Sequence, residues 1–189
     1  MSGAVLTIII VVAVIVLAAI AAAAWQSSRR RKLRDRFGPE YDHAVEQADS
    51  RREAERDLRE RADQRDDLEI RELPPVVAAR YQEQWQLVQA QFVDEPIPAV
   101  RDAQTLVTRV MNDRGYPTST EKTRAAMLSV DHADVMDNYR SATEIEERSS
   151  TGNASTEELR QAMQHYRAIF DRLLGNVTVM RGTPTGPAE

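Results

Sequence analysis

The sequence predicts an all-α protein: an N-terminal transmembrane helix, a charged helical neck and a small four- to five-helix bundle. Three observations predict it. Ala4 to Ala24 is an uninterrupted apolar run whose only hydroxyl is Thr7. Between Glu46 and Glu72, 18 of 27 residues are charged and neither Gly nor Pro intervenes. From Pro74 onward, apolar residues recur every three or four positions, and no period-two strand pattern appears outside the apolar run. The organisation expected is an anchor over residues 1–28 (span 4–24), a basic collar over 29–39, a neck over 40–73, a bundle over 74–175 and a disordered Pro/Gly/Thr tail over 176–189.

At ~1.5 Å per residue the apolar run reaches roughly 31 Å, the thickness of a bilayer's hydrocarbon core. A helix satisfies its own backbone there, as lipid requires. Residues 1–28 carry no charge, and Arg29, Arg30, Arg31, Lys32 and Arg34 follow at once. Basic residues flanking a span stay on the cytoplasmic side, so the N-terminus is expected outside and the C-terminal body in the cytoplasm. Trp25 falls where an interfacial aromatic belongs. The alternative is a cleaved signal peptide, with Ala22 to Ala24 as the small-residue site and a secreted helical protein as the product. Met1-Ser2-Gly3 lacks the positive n-region such a peptide needs, and the run exceeds the usual h-region of ~7–15 residues.

The chain has 189 residues and a net charge of −5. Its first 34 residues carry +5, so the remainder carries −10. An acidic body argues against a nucleic-acid partner. The collar can attract anionic headgroups at roughly 1 kcal/mol per basic residue, or serve only to set topology. With no cysteine there is no disulfide framework and no Cys-based zinc site. Ala18 and Ala22, and Ala19 and Ala23, are spaced for close helix approach, a weak signal for self-association in the membrane.

Phe37-Gly38-Pro39 ends the anchor helix, since Pro disfavours helix at the residue before it. The neck is expected to be helical from Glu40 to about Leu73, with Glu55–Arg59, Asp57–Arg61 and Asp67–Arg71 as acid-before-base pairs at i, i+4. Its best heptad frame fills only about half the a and d positions with apolar residues, against a coiled coil. A solvated spacer or a helix docked by its few apolar residues fits better.

In the body, Val77, Tyr81, Trp85, Val88 and Phe92 share one helical face after Leu73-Pro74-Pro75. Val100, Ala103, Leu106, Val107, Val110 and Met111 form a second, stopped by Gly115 and Pro117. Thr118 and Glu121 have capping-box spacing for a third helix carrying Ala125, Met127 and Leu128. Near Ser129 the chain either kinks or runs on into a segment to about Arg148, with Val135, Met136, Tyr139, Ala142 and Ile145 inward. Ser155 and Glu158 form another capping box, for a helix showing Leu159, Met163, Tyr166, Phe170, Leu173 and Leu174 and ended by Gly175.

No phosphate loop, nucleophile elbow or zinc spacing is present, and no cofactor is expected. His43, His132 and His165 lack convincing ligand partners at i+3 or i+4. Asp131, His132, Asp134 and Asp137 crowd together, which suits a helix start better than a cation site or a catalytic base. His165 reads as a half-buried structural histidine, and Tyr81, Trp85 and Phe92 as core rather than an aromatic cage.

Several blocks together resemble a family of single-pass bacterial membrane proteins of unknown function, common in actinobacteria. They are Leu33-Arg34-Asp35-Arg36-Phe37-Gly38-Pro39-Glu40-Tyr41, Phe92-Val93-Asp94, Val110-Met111-Asn112-Asp113-Arg114-Gly115-Tyr116-Pro117, Ser129-Val130-Asp131-His132, Asn138-Tyr139-Arg140, Thr156-Glu157-Glu158-Leu159-Arg160-Gln161-Ala162-Met163 and His165-Tyr166-Arg167. In that family Pro often follows the Asp-His pair, where Ala133 stands here. The resemblance implies a bacterial cell-membrane protein and supplies no activity.

The expectation is therefore a membrane-tethered, non-enzymatic module that binds a cytoplasmic protein, with Tyr116, Pro117, Asp131 and His132 as its candidate contact surface and Arg29, Arg30, Arg31, Lys32 and Arg34 against the bilayer. The rival expectation is a self-associating envelope or stress structural protein. An enzyme using Asp131, His132 and His165 is the least favoured.

Overall fold

The structure, a computed structural model, describes residues 3–175, with side chains from residue 10 onward. The tail over 176–189 lies outside the described residues. Among them there are eight α-helices and no strand. The chain divides into two units, Met1–Glu60 and Arg61–Glu189. The division falls thirteen residues before the expected neck–bundle boundary at Leu73, inside a helix.

In the first unit α1 runs unbroken over Gly3–Phe37. It is long and apolar enough to cross a membrane, and every residue from Ile10 to Arg29 is exposed. Gly38, at φ +49°, turns the chain after Phe37, and Pro39 opens α2 (Pro39–Gln47) at the helical position where a missing N–H costs nothing. Arg34 reaches Asp42 at 2.6 Å and lies 5.4 Å over the ring of Tyr41, which ties α2 back along α1. Leu33, Phe37, Tyr41, Ala54 and Leu58 are buried.

The neck is not one helix. It breaks at residues 48–50, where Ala48 is extended and Ser50 caps α3 (Arg51–Asp66) through the Glu53 N–H at 3.3 Å. Nor is it a free spacer. Glu55, only 3 % exposed, accepts from Tyr41 Oη at 2.9 Å and pairs with Arg30 Nε at 3.1 Å, which brings α1, α2 and α3 to one carboxylate. The expected Glu55–Arg59 pair is present at 3.3 Å. Asp67 and Arg71 lie beyond the helix end and so cannot meet at i, i+4.

In the second unit residues 67–74 are non-helical, and Leu68, Ile70 and Leu73 pack against the core. Helical backbone would send Leu68 and Ile70 to opposite sides; a tight turn, closed by Ile70 N donating to Leu68 O at 3.1 Å, takes its place. The bundle then comprises α4 (Pro75–Gln91), α5 (Pro96–Arg114), α6 (Glu121–Asp131), a short 3-10 turn at Ala133–Val135, α7 (Met136–Ser150) and α8 (Thr156–Leu173). The predicted inward faces are inside, with α8 packed on α5 and α7, and α4 on α5. Leu159, Met163, Tyr166, Phe170 and Leu173 of α8 are all buried, at about 1.5–3 kcal/mol for each such side chain. Ala162 and Ile169 join that face. Ser155 and Glu158 form the predicted capping box. The cap of α6 is Thr120, whose hydroxyl accepts from Thr123 N at 3.1 Å, in place of the Thr118–Glu121 pairing expected. The break between α6 and α7 comes at His132, three residues after Ser129.

Candidate functional site

Three of the four residues singled out as a contact surface do come together, but inside the bundle. α5 ends in a Schellman turn: Gly115, at φ +98°, donates to Asn112 O at 2.9 Å and Tyr116 to Met111 O at 3.0 Å. That turn swings the Tyr116 ring inward, leaving the residue 2 % exposed. α6 ends at Asp131, and His132 follows in a non-helical conformation that directs its ring towards Tyr116, 6.4 Å between centroids. Tyr116 Oη donates to Asp131 Oδ2 at 2.6 Å, and Arg65 from the last turn of α3 pairs with the same oxygen. His132 Nε2 lies 3.4 Å from Tyr116 Oη. Pro117 is half-buried beside this corner.

Burial, with a smaller push from the Arg114 guanidinium, lowers the His132 imidazole to about 4, so it is neutral at neutral pH. Burial and the Asp131 carboxylate raise the Tyr116 phenol well above its ordinary range. Neither group exchanges a proton near pH 7, and Asp131 is held by two donors. The corner is a fixed polar clasp joining the ends of α3, α5 and α6. With Tyr116 and His132 covered, it is not an open docking face.

The rest of the acidic cluster is occupied in the same manner. Asp134 pairs with Arg172 at 3.2 Å and Asp137 with Arg140 at 2.7 Å. His165, half-buried, bonds Asn138 on α7 at 2.9 Å, apart from the partners of Asp131 and His132. Among the described residues no group of three His, Cys, Asp or Glu is placed to hold a metal ion. Trp85 is fully buried and stacks on Phe170 with centroids 4.8 Å apart, so the aromatic stripe is core.

No protein-family model, no curated protein and no solved structure matches this chain.

Of the collar, Arg31 and Lys32 are exposed on α1, while Arg29 lies 3.5 Å over the Trp25 ring. Arg30 and Arg34 are drawn towards Glu55 and Asp42. The open apolar surface of the bundle lies elsewhere: Val76, Leu87 and Val93, 70–81 % exposed, on and just after α4. On α4 the exposed Arg80 and Glu83 stand between Val76 and Leu87 on this outer face, opposite the inward stripe of Val77, Tyr81, Trp85 and Val88.

Proposed function

We propose that this chain is a single-pass protein of a bacterial cell membrane, of the actinobacterial type, whose helical body binds another protein on the cytoplasmic side and performs no chemistry of its own. Support for the anchor comes from α1, apolar and exposed over the length a bilayer would cover. Support for the orientation comes from the collar. The observation that carries partner binding is the exposure of three large apolar side chains, Val76 and Leu87 on α4 and Val93 just after it, around the two charges Arg80 and Glu83. The polar side chains that elsewhere suggest chemistry are engaged in internal bonds.

The test is site-specific photo-crosslinking in membranes, with the probe at Leu87 or at exposed Glu147 on α7. A discrete adduct to a second protein from Leu87, absent from Glu147, supports the reading. Identical patterns from both positions, or none, refute it. An adduct at twice the mass of the chain would put self-association in its place.

A further inference from the structure

The first unit holds a groove of about 500 Å³ between the cytoplasmic end of the apolar segment of α1 and the first half of α3. On α1 it is lined by Ala22, Trp25, Gln26 and Arg29, one helical face at spacings of three, one and three. On α3 it is lined by Arg52, Arg56 and Arg59, again one face. Its only carboxylate is Glu55, already committed to Tyr41, Arg30 and Arg59. Among the described residues, Arg52 and Arg56 form no ion pair, and Arg29 is held over Trp25 by its cation–π contact. The groove thus presents three cations with no acid left to answer them.

The position of Arg52 gives an independent sign. Arg51 and Arg52 stand in the first turn of a 16-residue helix with one carboxylate, Glu53, beside them, where the macrodipole disfavours cations and favours an anion. A phosphate bound there would meet both the guanidinium forks and the positive helix end. Depth gives a third. Arg29 lies five residues past Ala24, ~7.5 Å along the helix, at the outer edge of the headgroup layer that extends ~5–7.5 Å beyond each face of the hydrocarbon core. Below the groove, Ala18 and Ala22 follow at spacing four and leave a shallow channel of small side chains along α1.

We propose that this groove is a binding site for the phosphate of an anionic phospholipid headgroup, with Arg29, Arg52 and Arg56 as its ligands and the Ala18–Ala22 channel beside its acyl chain. The site rests on reading α1 as a membrane span. It differs from diffuse attraction by the collar, because Arg52 and Arg56 come from α3, beyond the juxtamembrane run.

The experiment reconstitutes the full chain in nanodiscs of phosphatidylcholine alone or of equimolar phosphatidylcholine and phosphatidylglycerol, and measures retained lipid by native mass spectrometry. Carbonate extraction of vesicles reports separately whether the chain is inserted. Arg52→Gln with Arg56→Gln is compared with Arg31→Gln with Arg51→Gln, which removes the same charge outside the groove. The expected result is a preference for phosphatidylglycerol that falls about tenfold further in the groove variant than in the control, the gap between direct charge-assisted bonds and screened attraction. Arg52→Lys with Arg56→Lys retains most of it, which separates charge in the groove from a folding defect. Equal losses in the two Gln variants overturn the site. Displacement of the lipid by inorganic phosphate, with no preference between headgroups, overturns the lipid source. Extraction of the wild-type chain by carbonate overturns the anchor reading instead.

Discussion

Gly115→Ala is the substitution on which the docking of residues 67–74 to the bundle can be tested most sharply. Two costs meet at this position. Gly115 has φ +98°, a region that costs a residue with a Cβ about 1–2 kcal/mol. An added Cβ would lie 2.7 Å from the carbonyl oxygen of Glu69, a backbone atom that no rotamer change can move away. Relief requires the 69–71 segment to back off, and that segment is held there by three bonds. Arg71 N donates to Arg114 O at 2.9 Å, Arg71 Nε to Asp113 O at 3.0 Å, and Arg114 Nε to Arg71 O at 3.3 Å. Weakening one or two of them adds about 1–2 kcal/mol. The reduced freedom of the unfolded chain returns about 0.4–1 kcal/mol. The net expectation is a loss of about 2–3 kcal/mol. Gly152→Ala is the internal control: its φ is +73° but its Cβ meets nothing within 4 Å, so only the conformational cost applies, about 1 kcal/mol or less after the same correction. The assay is urea unfolding of the full chain in detergent, followed by the fluorescence of Trp85 in its stack on Phe170. Trypsin cleavage at Arg71 should accelerate in Gly115→Ala and not in Gly152→Ala. Equal midpoint shifts in the two variants would refute the reasoning, because the close approach of Glu69 would then contribute nothing.

Three further outcomes are expected. His132 is lowered from 6.5 to about 4 by burial, so the unfolded chain gains a proton below pH 6.5 that the folded chain refuses. Stability is therefore full above pH 6.5 and falls as the pH drops towards 4, by about 2 kcal/mol at pH 5. Urea midpoints at pH 7 and 5 should show this in wild type and not in His132→Gln; an equal loss in both would assign it elsewhere. Glu55→Gln removes the shared charge that Arg30 and Arg59 face, costing about 1–2 kcal/mol. Hydrogen exchange should quicken in α2 and the start of α3, while α8 keeps its protection; protection unchanged in α2 would dismiss Glu55 as the link. Ser155→Ala deletes the capping box of α8 and should lower stability by about 1 kcal/mol, read from the same urea curves, with no loss if the box is ornamental.

Periodicity made the bundle legible because each of its helices buries one stripe. The inward residues of α4, α5, α7 and α8 could be named from spacing alone, and so could the Ser155–Glu158 cap, whose two partners lie within one turn. The neck resisted for the opposite reason. Its charge-rich text carries helix propensity throughout, and nothing local marks where tertiary contacts override it. Leu68, Ile70 and Leu73 leave the helix and pack against the core, a preference set by distant helices. Ser50 was a readable cap that the absence of Gly and Pro obscured. The polar corner was found by residue type and misplaced in depth. Tyr116 and His132 signal polarity in sequence, while the Schellman turn at Gly115 that buries Tyr116 depends on three-dimensional closure. Arg65 was missed altogether, since its partner Asp131 lies 66 residues away. The cationic groove needs the arginines of α3 beside α1, a juxtaposition that no local pattern in the neck encodes.

In the proposed topology α1 is a membrane anchor and the helical body lies on the cytoplasmic side. Reporter fusions at the C-terminus test it most directly, one a fluorescent protein that matures only in the cytoplasm, the other a phosphatase active only outside. Fluorescence without phosphatase activity is the outcome expected when Arg29, Arg30, Arg31, Lys32 and Arg34 remain inside. Phosphatase activity without fluorescence would contradict it, moving the body outside the cell and away from any cytoplasmic partner.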